Sequence, residues 1–308
     1  MKVLVIGGTG TLAKSLIPLL LRDDRIQRIR ILSRGEHAQS ELREKYRGER
    51  MDFFIGDVRD RERILMASEG CDQVYHFAAN KEVDTAEYNP FEAVLTNIIG
   101  TQNVIRAVRK NEIKKAIFTS SDKACEPINL YGATKLVAEK MFIQSNIGYH
   151  KSRYACVRYG NVLASQGSVV ERWRQGVRSI TDPTMTRFFW SPDQAARFVM
   201  DAMFHMEGGE IFIPKMKATT IQALFQVVVK GGLAQVTGER GGEKQHECLI
   251  SRHEWDLVTD CGWCWIKWPS MKLFPVKRKG TPVESSSLGY TSDLAVHMDD
   301  LQLEELCK

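Results

Sequence analysis

Tyr131 and Lys135, in Tyr-Gly-Ala-Thr-Lys, are the residues whose types and spacing best suit proton chemistry in this sequence. If the stretch is helical, the two side chains lie one turn apart on the same face. An ammonium near a phenol favours the phenolate, so the tyrosine can accept a hydroxyl proton near neutral pH. By itself the pair recurs by chance on surface helices. It gains weight from Thr119-Ser120-Ser121, which closes a candidate strand and sets the Ser121 hydroxyl to hydrogen-bond a substrate hydroxyl.

A second motif supplies a cofactor site. Gly7-Gly8-Thr9-Gly10-Thr11-Leu12-Ala13 follows an apolar run and opens a helical pattern. Gly7 and Gly10 permit a tight turn, and the backbone N–H groups there can approach a pyrophosphate at the positive helix end. Thr9, Thr11 and Leu12 fall on the same loop, and Ala13 takes the third small position, where helix packs on strand. The plain alternative is a strand–helix turn without a ligand; strand before and helix after favour a dinucleotide. The second strand ends Leu32-Ser33-Arg34, a hydroxyl and a guanidinium where an NAD enzyme usually carries an acid for the ribose 2′-OH. Arg34 suits a 2′-phosphate as a two-pronged donor, so NADP is the expected cofactor. Asp57-Val58, after the third strand, are placed for the adenine. Ala78-Ala79, after the fourth, give small residues where the backbone passes the cofactor.

The elements that must position these groups follow from the hydrophobic pattern. β-branched runs at Lys2–Ile6, Arg28–Ser33, Asp52–Ile55, Gln73–Phe77, Lys115–Ser120 and Ala155–Tyr159 read as strands. Helical patterns lie near Leu12–Leu21, Ser40–Tyr46, Asp60–Ser68, Phe91–Arg109 and Tyr131–Gln144, and Asn89-Pro90 and Ser191-Pro192 read as N-cap plus first-turn proline. Such alternation implies an α/β fold, a Rossmann-type doubly wound parallel sheet, with a smaller C-terminal α/β substrate lobe. The expected division is 1–165 with about 191–213 for the NADP-binding domain, and about 166–190 with 214–308 for the lobe.

Composition excludes several classes. The 308 residues are 43% hydrophobic and 26% charged, near the globular average, so disorder is not indicated. Forty-three basic against 38 acidic residues leave a net +5, too dispersed for nucleic acid and suited to anionic small molecules. No apolar run approaches the roughly 18 residues of a membrane span. The N-terminus runs straight into the glycine loop, and a cytoplasmic protein is expected. The seven cysteines are scattered, which suggests free thiols; Cys261-Gly-Trp-Cys264 is the one CxxC and reads as core-lining. No metal site is expected, since the histidines show no ligand spacing.

Gly7–Ala13, Ser121 and Tyr131/Lys135 together resemble the extended short-chain dehydrogenase/reductases. More narrowly, Ser121-Asp122-Lys123-Ala124 with Pro127–Lys135, Val157–Val162 with Gly167-Ser168-Val169, Thr181–Phe188, Gly208–Lys215 and Gly242–Glu247 resemble the inverting UDP-N-acetylglucosamine 4,6-dehydratases. The matches run from Met1 to about Asp293, and Asp122-Lys123 is the most specific. The resemblance implies an internal redox cycle on a UDP-sugar. In it Tyr131 takes the O4 proton as C4 is oxidised, Lys123 takes the C5 proton, Asp122 protonates the departing 6-hydroxyl, and reprotonation from the opposite face inverts C5. Adjacent opposite charges favour the ionised forms of both Asp122 and Lys123, which opposes these roles unless the site is dry. The plain alternative is a charged turn after a strand.

The resemblance also points to the substrate side. Arg187 is the main candidate for gripping a diphosphate, with Asn161 as a donor and Arg172 as a second cation. Glu243, Lys244 and His246 fit a loop closing on the nucleotide, and Lys81 lies near the expected sugar pocket. Trp255, Trp263, Trp265 and Trp268 are expected in the core, and Lys267–Lys279 on a solvated face. Association into at least a homodimer is expected through the helices beside the tyrosine helix. Two other functions fit the cofactor loop: a UDP-sugar 4-epimerase, which needs Tyr131 and Lys135 but no acid–base pair at C5 and C6, and an NADP-sensing regulator, against which the complete Ser121/Tyr131/Lys135 set counts.

Overall fold

The β-branched runs form the strands they suggest. In the computed structural model, which describes residues 1–148, 151–163, 168–238, 241–270, 278–284 and 287–307, β1 (Lys2–Ile6), β2 (Arg28–Ser33), β3 (Met51–Ile55), β4 (Gln73–His76), β5 (Lys115–Thr119) and β6 (Arg153–Val157) are parallel. Val3 stands opposite Ile29 and Gln73, and Ile117 opposite Tyr75 and Ala155. Val3, Leu4, Val5 and Ile6 are all fully buried, as strands covered by helices on both faces must be. The last of these strands lies two residues earlier than the apolar run suggests, because Arg158 turns inward just past its end to meet Glu139.

Between the strands run α1 (Thr11–Arg22), α2 (Glu36–Lys45), α3 (Arg61–Ser68), α4 (Val83–Tyr88), α5 (Pro90–Val94), α6 (Gly100–Lys110) and α7 (Leu130–Gln144). The single helix expected over Phe91–Arg109 is interrupted by a π-helical turn at Leu95–Ile99. That turn aims the buried Asn97 at the loop after β4. Its amide accepts from Asn80 N (2.8 Å) and donates to Asn80 O (3.0 Å) and to Thr134 Oγ1 on α7 (2.9 Å). Inserted turns of this kind often mark functional sites. Asn89 does not cap α5 as expected; its side chain donates instead to Thr85 O.

Beyond β6 come β7 (Asn161–Val162), α8 (Val169–Arg174), β8 (Ser179–Ile180), β9 (Thr186–Trp190), α9 (Pro192–His205) and β10 (Ile211–Pro214). Ser191 caps α9 as expected, with Gln194 completing a capping box, and β10 extends the sheet parallel to β6. The remaining elements are β11 (Ala218–Thr220), α10 (Ile221–Val229), β12 (Gln235–Val236), β13 (Cys248–Ile250), β14 (Val258–Asp260), β15 (Cys264–Lys267), β16 (Thr281–Pro282), β17 (Tyr290–Thr291) and α11 (Asp300–Cys307). The large sheet runs β16-β14-β15-β10-β6-β5-β4-β1-β2-β3. Thus β14, β15 and β16, within the 214–308 stretch expected in the lobe, are antiparallel edge strands of the main sheet. The smaller body is built on β7-β9-β11 and β8-β12, with a core of Leu163, Trp173, Phe189, Leu224, Phe225 and Leu303 among others.

Lys267 is not on a solvated face: it is buried in β15 and pairs with Glu254 at 3.1 Å, because the same carboxylate also serves the interior Arg158. Arg158 and Glu139 are themselves fully buried and paired at 2.7 Å. Residues 271–277 of the Lys267–Lys279 stretch, and Gly167 of the quoted motif, lie outside the described residues. Trp255 and Trp268 are buried, whereas Trp263 is 39% exposed. Cys264 is buried and Cys261 half-buried. Among the described residues no group of three His, Cys, Asp or Glu side chains is placed for a metal, and no helix is long and apolar enough to cross a membrane.

Candidate active site

From β1 the chain proceeds outward through β2 and β3 on one side and through β4, β5 and β6 on the other. The reversal leaves a crevice beyond the carboxyl ends of β1 and β4, where open α/β sheets bind ligands. A cavity of about 990 Å³ lies there.

Its first wall is the glycine loop. Gly7 has φ +82°, and a Cβ on it would sit 2.8 Å from Ala78 N, so only glycine fits. Gly10 precedes α1 without any side-chain cap, and the start of a helix suits an anionic ligand. Thr9, Thr11 and Leu12 line the same end, as do Ser33, Arg34, Asp57, Val58, Ala78 and Ala79. Gln39 fixes Ser33 by donating to its Oγ (2.9 Å) and O (3.1 Å). Burial alone would raise the Asp57 carboxyl, but Arg59, 2.7 Å away, holds it below the usual range. A close-approach glycine, an uncapped helix start and a cation beyond β2 fit a dinucleotide's phosphates.

The second wall carries the proton-handling groups. Asn129 caps α7 by accepting from Gly132 N (2.7 Å) and donates to Gly242 O (2.7 Å), joining the tyrosine helix to the Gly242–Glu247 loop. Ser121, Lys123, Tyr131 and Lys135 all line the cavity. Asp122 does not: it is fully buried one layer behind, with Oδ1 accepting from Ser121 Oγ (2.9 Å) and Lys123 Nζ (3.2 Å), and with Oδ2 unpartnered. Burial pushes the Asp122 carboxyl up, against the pull of Lys123. Lys123 goes the other way: despite burial, Asp122 and Glu247 hold it as an ammonium. One half of the expected electrostatic conflict is thereby eased, because burial disfavours the ionised form of the acid.

Lys135 behaves differently from the expectation. Its Nζ donates to Thr119 O (2.5 Å) and sits 4.2 Å over the Phe118 ring, and burial pulls it down to about 7. Burial pushes the Tyr131 phenol up, and the groups opposing this are Lys123 and the hydrogen-bonded Ser121 rather than Lys135. The reason is geometric: the lysine one turn along is spent on a carbonyl of β5.

On the substrate side Arg187, Asn161, Arg172, Lys81 and Glu243 line the cavity. Arg187 Nη1 is anchored by Thr186 O (2.8 Å) and Gln245 O (3.1 Å). Lys81 pairs with Glu82 at 3.0 Å. His246 does not reach the cavity; its Nδ1 meets Thr186 Oγ1 at 2.8 Å, holding the loop to β9. Its neighbour Glu247, given no role in the sequence beyond membership of the Gly242–Glu247 segment, does line the cavity, 3.0 Å from Lys123.

Residues 3–265 match the family described as polysaccharide biosynthesis protein. A protein of Campylobacter jejuni named UDP-N-acetylglucosamine 4,6-dehydratase (inverting) is 42% identical over 279 residues, 88% of this chain and 84% of that one. A UDP-glucose 4-epimerase of Rickettsia bellii is 37% identical over 274 residues, 84% of this chain and 80% of its own. Among solved structures, Pen from Bacillus thuringiensis superposes with a TM-score of 0.91 at 35% identity, covering 99% of this chain and 96% of that one. With the match spanning nearly the whole sheet and the cavity between its halves, this chain belongs to the polysaccharide biosynthesis protein family.

Proposed function

We propose that the chain is an NADP-dependent, inverting 4,6-dehydratase of UDP-N-acetylglucosamine. The observation that carries this reading is the acid–amine pair Asp122-Lys123, buried against the phenol of Tyr131 and opening through Ser121 and Lys123 into a dinucleotide-sized cavity. When bound, NADP supplies a hydride acceptor for C4 and a hydride donor for C6. Tyr131 takes the O4 proton as C4 becomes a ketone, which acidifies the C5–H bond. Lys123, once neutral, takes the C5 proton. The 6-hydroxyl leaves as water with the proton of Asp122. Because Asp122 stops short of the cavity, Ser121, which donates to Asp122 Oδ1 before the reaction, turns to give its hydroxyl proton to the departing oxygen and takes the proton of Asp122 in exchange. Returning a proton to C5 from the opposite face inverts that centre.

Arg187 and Asn161 face the diphosphate, with Arg172 and Glu243 further out along the same wall. Arg34 beyond β2 favours the 2′-phosphate of NADP over NAD. Exposed Tyr88, Phe91, Leu95 and Ile99, from α4 to the π-helical turn, and exposed Val137 on α7, which packs against these elements, support a homo-oligomer through these helices. A 4-epimerase is the second reading, favoured by the Rickettsia relative. That chemistry leaves the Asp122-Lys123 pair without work, and the dehydratase reading uses it. Incubation with UDP-N-acetylglucosamine and NMR of the product tests the choice: a 6-deoxy-4-keto sugar is expected, and a C4 epimer retaining O6 overturns the reading.

A further inference from the structure

Glu247 takes no part in the steps above, yet it is 2% exposed and stands on the cavity wall beside the proposed base. Its backbone is clamped: Glu247 N donates to Ser292 Oγ (2.9 Å), and Glu247 O accepts from Ser292 N (2.8 Å). The carboxylate is therefore held in place by β17 and the segment after it, independently of the turn that carries Lys123. Oε1 lies 3.0 Å from Lys123 Nζ and 3.9 Å from Arg187 Nε, and Oε2 lies 3.8 Å from Lys244 Nζ without a hydrogen-bond partner. Burial alone would raise this carboxyl, but Lys123, then Arg187 and Lys244, hold it below the usual range.

From the other side, Lys123 Nζ meets Asp122 Oδ1 (3.2 Å) and Asn161 Oδ1 (3.4 Å). The groups acting on the amine are thus Asp122 and Glu247, which favour the ammonium, and Arg187, which opposes it, with the Tyr131 phenol nearby. Two carboxylates on separate elements share one ammonium, and Glu247, the nearer of them, also approaches the arginine that faces the diphosphate.

We infer that Glu247 is a positioning residue for the base: it holds the Lys123 amine between the sugar pocket and Arg187, and it sets the pH at which that amine becomes free to take the C5 proton. The inference rests on the dehydratase reading. An opposite charge this close favours the ammonium, and its removal frees the amine at lower pH. Loss of Glu247 also leaves Arg187 uncompensated beside the amine, which acts in the same direction.

The test is the pH profile of kcat for water loss from UDP-N-acetylglucosamine, in wild type, Glu247→Gln and Glu247→Asp, with UDP affinity measured alongside. The ascending limb, where Lys123 loses its proton, is expected to move down by at least about one pH unit in Glu247→Gln. With the amine no longer held, kcat at the plateau falls roughly 10-fold or more. UDP affinity stays within roughly threefold, because Arg187 keeps both of its backbone acceptors. Glu247→Asp, which retains the charge one methylene further back, restores part of the limb position; it also serves as the readout should Glu247→Gln not fold, since a smaller shift in the same direction is expected of it. An unmoved limb in the variants overturns the inference, as does a uniform loss of kcat accompanied by loss of UDP binding. A wild-type protein that makes no 6-deoxy-4-keto product overturns the dehydratase reading and this inference with it, whereas product from wild type with an unmoved limb overturns this inference alone.

Discussion

Gly132, between Tyr131 and the rest of α7, offers the sharpest structural test of how the site is assembled. A Cβ built there would lie 2.2 Å from the Lys123 carbonyl oxygen, 3.0 Å from Lys123 C and 3.1 Å from Pro127 Cβ. Two of these are backbone atoms of the proton-handling turn, and no flexible side chain stands in the way to yield. The contact falls roughly 1 Å short of the 3.4 Å at which ordinary packing begins, so Gly132→Ala must separate the tyrosine helix from the Lys123 turn by about that much. A misplacement of that size costs on the order of 10²-fold in rate. Overpacking costs stability of about 1–3 kcal/mol, small enough for the variant to fold. The expected result is therefore a kcat reduced about 100-fold, measured by product NMR, in protein that still melts cooperatively and still binds NADP at the glycine loop. A variant within threefold of wild type would refute the close packing of α7 on this turn as the device that sets Tyr131 against Lys123.

Lys123→Met should stop the reaction after C4 oxidation, so that a 4-keto hexose with O6 intact is found on the enzyme by mass spectrometry, while Tyr131→Phe forms neither ketone nor product; each loses on the order of 10²–10⁴-fold in turnover. Arg34→Ala should weaken NADP binding by roughly 10–100-fold, the worth of a charge-assisted contact, and leave NAD binding within about threefold, as read by titration. Arg158→Met would remove the one cation paired directly with Glu139 among the described residues, at a cost of about 3–5 kcal/mol in urea denaturation; the charge it loses is fully buried.

Legibility in the sequence followed the physics of each signal. Short apolar runs on a doubly covered sheet leave little freedom, so β1 and β2 fall where the pattern puts them. Gly7 was readable because its conformation and its contact with Ala78 admit no side chain. Long-range partnership was not readable. Lys267 looks like part of a basic, solvated stretch until Glu254 and Arg158 are seen beside it, and the antiparallel strands around it show no periodicity that separates a sheet edge from a lobe. The π-helical turn buries Thr96 and Asn97 and exposes Leu95 and Ile99, a reversal of the apolar pattern whose cause, the partnership of Asn97 with Asn80, only the fold reveals. His246 reads as part of a loop closing on the nucleotide, but hydrogen bonding to Thr186 absorbs it. Glu247, one residue on, is the group facing the cavity, and its compatibility with the site depends on three cations from different parts of the chain.

The most direct trial of the central claim is NMR of the product formed from UDP-N-acetylglucosamine in deuterated water. A phenol, an amine and a carboxylic acid serving one hexose ring should yield a 6-deoxy-4-keto sugar with deuterium at C5, the inverted configuration there, and none at C6. A sugar that keeps its 6-hydroxyl, or one with protium retained at C5, would contradict it.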